Sequence, residues 1–139
     1  MGLKAAQGLQ FVTAFYWDRD DESRAWSKRF FERRNVMPTM TQAGVYSAVL
    51  HYLKAVAAAK TKNADAVMAK MRALPVNDPF THNGLLREDG QMMHDMFLVE
   101  VKKPGESKGP WDYYKILETI PAAKLFQPLA DSDCPLIKQ

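Results

Sequence analysis

The chain has 139 residues, of which 47% are hydrophobic and 25% charged, and its net charge is +3. That length and balance suit one domain with a buried core and exclude a disordered or fibrous chain, and the longest apolar run, Ala43 to Ala59, is broken by His51 and Lys54 and falls short of the ~20 residues a membrane span needs. Basic residues sit beside acids in Arg24–Arg34 and Lys102–Lys108 instead of forming a one-sided stripe, so no nucleic-acid partner is expected.

In chain order, Met1-Gly2-Leu3-Lys4 lacks a cationic segment followed by an apolar one and does not read as a secretory signal. Gly8–Trp17, GLQFVTAFYW, is β-branched and aromatic and predicts a strand over 8–16 that ends in three consecutive aromatics where the chain turns. A buried strand needs neighbours on both sides, and the rest of the chain supplies few strands; the sheet is expected to be incomplete. Residues 20–74 then predict three helices. Asp20 or Asp21 can cap the first, with Trp26 and Phe30 one turn apart on its buried side, and Asn35-Val36-Met37-Pro38 ends it.

Thr39 or Thr41 can cap the second helix, in which Val45, Ala48, Val49, Tyr52 and Val56 mark one apolar face and Tyr46, Leu50, Leu53 and Ala57 the next. So wide an arc predicts a largely buried helix. The third begins near Asn63, places Asp65 in its first turn, buries Val67, Met71 and Leu74, and stops before Pro75. Residues 84–120 change period: Leu85-Leu86-Arg87 and Met92-Met93 flank Glu88-Asp89-Gly90-Gln91, whose Asp-Gly pair signals a hairpin. Met96–Val101 reads as a strand, and after a polar turn over 103–110 a further strand is expected from Trp111 to Ile120. Residues 121–139 predict a short amphipathic piece, Ala122–Leu129, and a tail.

No catalytic constellation emerges, and an enzyme is not expected. The chain has no glycine-rich phosphate loop, no G-x-S-x-G elbow and no HExxH helix, and nothing in it calls for a cofactor. His51, inside an apolar helix, reads as a satisfied core histidine; His82 and His94, flanking the hairpin with Asp95, read as exposed side chains before they read as a metal site. Asp18, Asp20, Asp21 and Glu22 cluster at a helix start, where they complement the dipole and satisfy free amides. Cys134 is the single cysteine, which rules out an internal disulfide; it is a bystander thiol or half of a bond to a cysteine outside this chain.

The succession TAFYWDRDDESRAWSKRFFERRNVMPTMTQAGVYSAVLHYLKAV, NADAVMAKMRALPVND, and NGLLREDGQMMHDMFLVEVKKPGESKGPWDYYKILETIP resembles the carboxyl-terminal part of the solute-binding receptors of branched-chain-amino-acid-type ABC importers, the type I periplasmic binding proteins. The likeness runs from about Gly8 to Ile137 and covers about the last third of such a receptor. It implies an α/β fold, here partial, with helices packed on an incomplete sheet plus a hairpin and strand, in one unit spanning residues 1–139. It further implies that 8–16 is the second of three strands crossing between two lobes, that the helices belong to the amino-terminal lobe, and that Met96–Val101 is the third crossing.

For the intact receptor the resemblance implies an amino acid or small organic acid as solute, an ABC permease as membrane partner, and a periplasmic location. The family's main grip on the solute lies in earlier loops that this chain lacks. The residues here that it places at the cleft are Tyr16 and Trp17, ending the first strand, and Thr39, Met40 and Gln42, opening the second helix. Tyr16 and Trp17 read equally well as hinge core. A free-standing, self-associating interaction module built from the same fold is the alternative, and a homo-oligomer is expected of the chain alone, because its strands would otherwise show unpaired edges and apolar surface.

Overall fold

The computed structural model describes residues 2–135 and 137; Met1 and, in the expected tail, Leu136, Lys138 and Gln139 lie outside the described residues. A short helix α1 (Leu3–Ala6) precedes strand β1 (Gln10–Thr13), which is shorter than the strand expected over 8–16. The chain buries Ala14, Phe15 and Tyr16 in succession, and the Thr13 hydroxyl donates to the Phe15 carbonyl at 3.0 Å across the bend. Side chains on a strand with one covered face alternate between core and solvent, so burying three in a row takes the backbone off the strand.

Helix α2 (Asp21–Arg34) starts at Asp20, whose carboxylate accepts the Ser23 amide at 2.7 Å, and ends at Asn35 in the left-handed conformation, φ 55°. Helix α3 (Met40–Ala59) starts at Thr39 with a reciprocal cap: the Thr41 amide donates to the Thr39 hydroxyl, and the Gln42 side chain accepts from the Thr39 amide at 2.9 Å. Helix α4 (Ala64–Ala73) is capped by Asn63 and ends ahead of Pro75, as the sequence predicts; of the three side chains expected to be buried only Val67 is, and Met71 and Leu74 are half-buried.

The burial of α3 differs from expectation. Its covered side is the four-residue series Ala43, Ser47, His51 and Ala55, while Val45, Val49 and Leu53 on the apolar arc are 61%, 53% and 55% exposed. Small residues at that spacing let α4 and the 76–81 loop approach the α3 backbone closely, which a branched or aromatic face would prevent. The polar members of the series are satisfied: the Ser47 hydroxyl donates to Asp78 at 2.7 Å, and His51 Nε2 lies 2.8 Å from the Met71 carbonyl.

Strands β2 (Leu85–Leu86) and β3 (Met92–Met93) form the expected hairpin, with Gly90 at φ 83° in its turn. An isolated bridge between Val76 and Gly84 ties the hairpin to the end of α4. A Cβ at Gly84 would meet Met92 Cε at 2.5 Å and Val76 Cβ at 3.2 Å, so only glycine allows that approach.

The main sheet is antiparallel in the order β1-β4-β5, with β4 (Met96–Val101) central and β5 (Tyr114–Ile120) on its far side. Pairing runs from Gln10↔Glu100 to Thr13↔Phe97 on one side and from Val101↔Tyr114 to Met96↔Ile120 on the other, with an irregularity between Leu98 and Val99. Phe97, Val99 and Val101 alternate into the core. The strand expected from Trp111 begins only at Tyr114, because Trp111 has φ 71°, a left-handed conformation no strand accommodates. Helix α5 (Ala122–Leu125) and a single 3-10 turn (Leu129–Asp131) follow.

Ala14, Phe15, Trp26, Ala43 and Phe80 form the core between the helices and the end of β1, with Trp17, Phe30 and Met96 packed against it. Trp26 is the joint of this layer: its ring lies 5.6 Å from Phe15, 5.8 Å from Phe30 and 5.2 Å from Tyr46 on α3. The outer side of β1 carries no further strand among the described residues, and Leu9, Phe11 and Val12 in this segment are exposed.

Candidate functional site

The bend after β1 delivers Tyr16 and Trp17 to the loop ahead of β5. Trp17 Nε1 donates to the Trp111 carbonyl at 2.8 Å, and the Tyr16 hydroxyl reaches the same carbonyl at 3.3 Å. That hydroxyl in turn accepts the amides of Tyr113 and Tyr114 at 3.1 and 3.3 Å. Burial, opposed by those two amides and reinforced by the charges of Asp112 and Asp18, pushes the Tyr16 phenol up to about 12. It therefore stays a neutral donor at any physiological pH.

Asp112 anchors the other end of the network. It pairs with Lys102 and accepts the Lys108 amide at 2.8 Å. Burial raises its pKa, but the Lys102 ammonium and the Lys108 amide outweigh it, and the carboxyl is held below the usual carboxylate range. The loop carrying Trp111 is thus clamped by Tyr16 and Trp17 on one side and by a buried ion pair on the other, which is what holds a tryptophan at positive φ.

Between this loop, the end of β1 and the start of α3 lies a cavity of about 310 Å³. Four of the five residues singled out from the sequence, Tyr16, Trp17, Thr39 and Met40, line it together. Gln42 does not: its side chain is turned back to close the helix cap, and it borders a separate groove with Trp26, Arg29 and Arg33. Trp111, Tyr113 and Tyr114 complete the cavity with Met37 and Met40, and among the described residues no charged side chain lines it. Sequence reasoning placed the aromatics of 111–114 in a strand and so missed them as lining; Gly109-Pro110 directly ahead of Trp111 was the signal that the strand starts later.

The remaining candidates take structural roles. His51 is buried and bonded to backbone, as expected. His82 and His94 do not face each other: His82 lies 3.6 Å from Glu22 at the surface, whereas His94 packs between the Phe80 and Phe126 rings. Asp20 caps α2, and Asp18 and Asp21 both pair with Arg24. Burial works against the Asp20 charge, but the Ser23 amide and hydroxyl and the Arg19 guanidinium outweigh it and hold its carboxyl at about 2. Cys134 is a half-buried free thiol, 3.7 Å from the Asp89 carbonyl.

The family model described as periplasmic binding protein matches residues 1–109. The chain belongs to that family. A periplasmic binding protein from Burkholderia mallei is 46% identical over 99% of this chain and superposes with a TM-score of 0.94, and the chain covers 36% of it. A branched-chain amino acid ABC transporter periplasmic ligand-binding protein from Burkholderia xenovorans LB400 is 44% identical over 97% of this chain, with a TM-score of 0.94 and 36% of its own length covered. An amino acid ABC transporter substrate-binding protein from Pseudomonas fluorescens Pf-5 shares the fold, at 19% identity and a TM-score of 0.78 over 96% of this chain and 35% of its own. A comparison with curated proteins finds no match. The chain therefore spans about a third of the length of the solved periplasmic binding proteins it resembles, and its architecture is a partial type I periplasmic-binding-protein fold.

Proposed function

We propose that this chain is the carboxyl-terminal portion of the solute-binding component of an ABC importer for amino acids or related small organic acids, working in the periplasm with a membrane permease. The observation that carries the proposal is likeness at 44–46% identity along almost the whole chain to two solved periplasmic binding proteins, one of them named as a branched-chain amino acid ligand-binding protein. The geometry supports it. Strands β1 and β4 lie side by side and antiparallel, as two crossings between lobes would, and the cavity sits where β1 ends. In this reading Tyr16, Trp17, Thr39 and Met40 form one wall of the cleft, and Gln42 acts by fixing the start of α3.

One wall buries too little of a small solute to offset the entropy of capturing it, so tight binding requires the lobe the relatives possess in addition. The test supplies the first two thirds of the Burkholderia xenovorans protein, fused to this chain or in trans, and titrates the assembly by calorimetry with leucine, valine, phenylalanine and an aromatic carboxylic acid. Micromolar binding of at least one by the assembly, and none at that level by this chain alone, is the expected result. Micromolar binding by the chain alone would make it a complete module.

A second reading, a self-associating module, is favoured by the uncovered apolar arc of α3 and the unpaired side of β1. Light scattering decides it: the reading requires a dimer or larger assembly at high micromolar concentration.

A further inference from the structure

We infer that the cavity takes the uncharged, aromatic end of the solute, and that Trp111 is the residue that stacks on it. The inference rests on the reading of this cavity as a solute-facing wall and adds to it a chemical class and a residue that the sequence did not single out.

Among the described residues the lining is uncharged. It carries no acid or base, so neither an ammonium nor a carboxylate finds a counter-charge there. Four of its polar groups are already engaged: the Tyr16 hydroxyl and Trp17 Nε1 on the Trp111 carbonyl, the Thr13 hydroxyl on the Phe15 carbonyl, and the Thr39 hydroxyl on Gln42. Even the start of α3, where backbone amides attract anions, is closed by its own cap. The rest of the lining is mainly ring surface and thioether, Trp111 and Tyr113 with Met37 and Met40, beside the hydroxyls of Thr41, Tyr113 and Tyr114. Rings and thioethers favour an aromatic guest over an aliphatic one of similar size, because edge-to-face and sulfur–aromatic contacts add to the burial that both guests share.

Two features separate Trp111 from Trp17. The Trp17 indole N–H is spent on the Trp111 carbonyl, which makes Trp17 a positioning residue for its neighbour. Trp111 itself is held at φ 71°, a conformation costly for a bulky side chain, by the Tyr16 and Trp17 bonds to its carbonyl and by the buried Lys102–Asp112 pair beside it. Strain that several neighbours act together to maintain is characteristic of groups displayed to a ligand.

Nitrogen–proton correlation spectra of this chain, titrated with benzamide and separately with isobutyramide to tens of millimolar, test both parts. Expected are shifts at the Trp17 and Trp111 indole N–H and at the Thr39–Thr41 amides with benzamide, and an at least tenfold weaker response to isobutyramide. Trp111→Gly removes the ring while relieving the backbone, since glycine adopts positive φ freely, so it keeps a dispersed spectrum and loses the benzamide response at least tenfold; Trp111→Phe recovers most of it. Equal responses to the two amides would overturn the aromatic class and leave the solute-wall reading standing. No response to either would overturn the solute-wall reading itself. Undiminished benzamide binding by folded Trp111→Gly would remove Trp111 from the role.

Discussion

The aromatic corner around Tyr16 and Trp111 and the outer face of α3 are both rich in large apolar side chains, yet the chain treats them in opposite ways. In the corner, hydroxyls, amides and a buried ion pair lock the rings into one arrangement, and the Tyr16 hydroxyl alone has contacts with the backbone of three residues. On α3, Val45, Val49, Tyr52 and Leu53 lie exposed with no polar network among them, while the side turned to the core is small or polar. Apolar content therefore marks surface that some partner must cover, and does not say whether this chain supplies the partner. Specific geometry comes from the polar atoms between the rings.

The sharpest way to break this comparison is at the residue that touches both regions. Trp26 meets Phe15 at the corner and Tyr46 on α3, so Trp26→Ala should cost on the order of 3–5 kcal/mol in urea denaturation. A cost below about 1 kcal/mol would show that the two regions are not mechanically joined. Next, Tyr16→Phe keeps the ring and deletes only the hydroxyl, leaving the Tyr113 and Tyr114 amides short of an acceptor; a loss of about 1–3 kcal/mol is expected by the same measurement.

Smaller effects come from the start of α2 and from the open face. Asp20→Ala should cost about 1 kcal/mol as a lost helix cap. Because the folded carboxyl is held at about 2, below its ordinary 3.8, its stabilisation is complete above pH ~4 and is lost as pH falls towards ~2. Acid titration of the unfolding free energy should therefore show a shallower fall over that window in Asp20→Ala than in the parent. On the open face, Leu53→Gln should change monomer stability by no more than about 0.5 kcal/mol. Light scattering on the same variant sharpens the contrast, since loss of any self-association would identify this face as the surface that associates.

What the sequence disclosed and what it hid follows the same division. Caps are local chemistry, so the sequence narrowed them to Asp20 or Asp21, to Thr39 or Thr41 and to the region of Asn63, and the Asp89-Gly90 hairpin and the Met96–Val101 strand could be read directly. The facing of α3 could not, because the periodicity of Val45, Val49 and Tyr52 records an apolar stripe without saying where its neighbour is encoded; the small series Ala43, Ser47, Ala55 was the better guide to the packing found here. Tyr16, Trp17, Thr39 and Met40 lie around one cavity while Gln42 does not, and beyond the Gly109-Pro110 pair ahead of Trp111 nothing in the sequence announces a positive φ imposed by bonds from residues more than ninety positions away.

The pairing of β1 with β4 also governs the order of events when the chain folds. Thr13 and Phe97 are opposite one another in the ladder, so everything from α2 to the hairpin is an excursion that leaves one strand and returns to its immediate neighbour. Closing a loop of that length costs about 4 kcal/mol in chain entropy before the first interstrand bond compensates for it. The locally capped helices α2, α3 and α4 can form on their own timescale, and the ladder can only follow once they have shortened the path between its two halves. Amide exchange should accordingly find β1 and β4 protected together and released together, in the slowest opening of the molecule, whereas the helices exchange through smaller and more frequent openings.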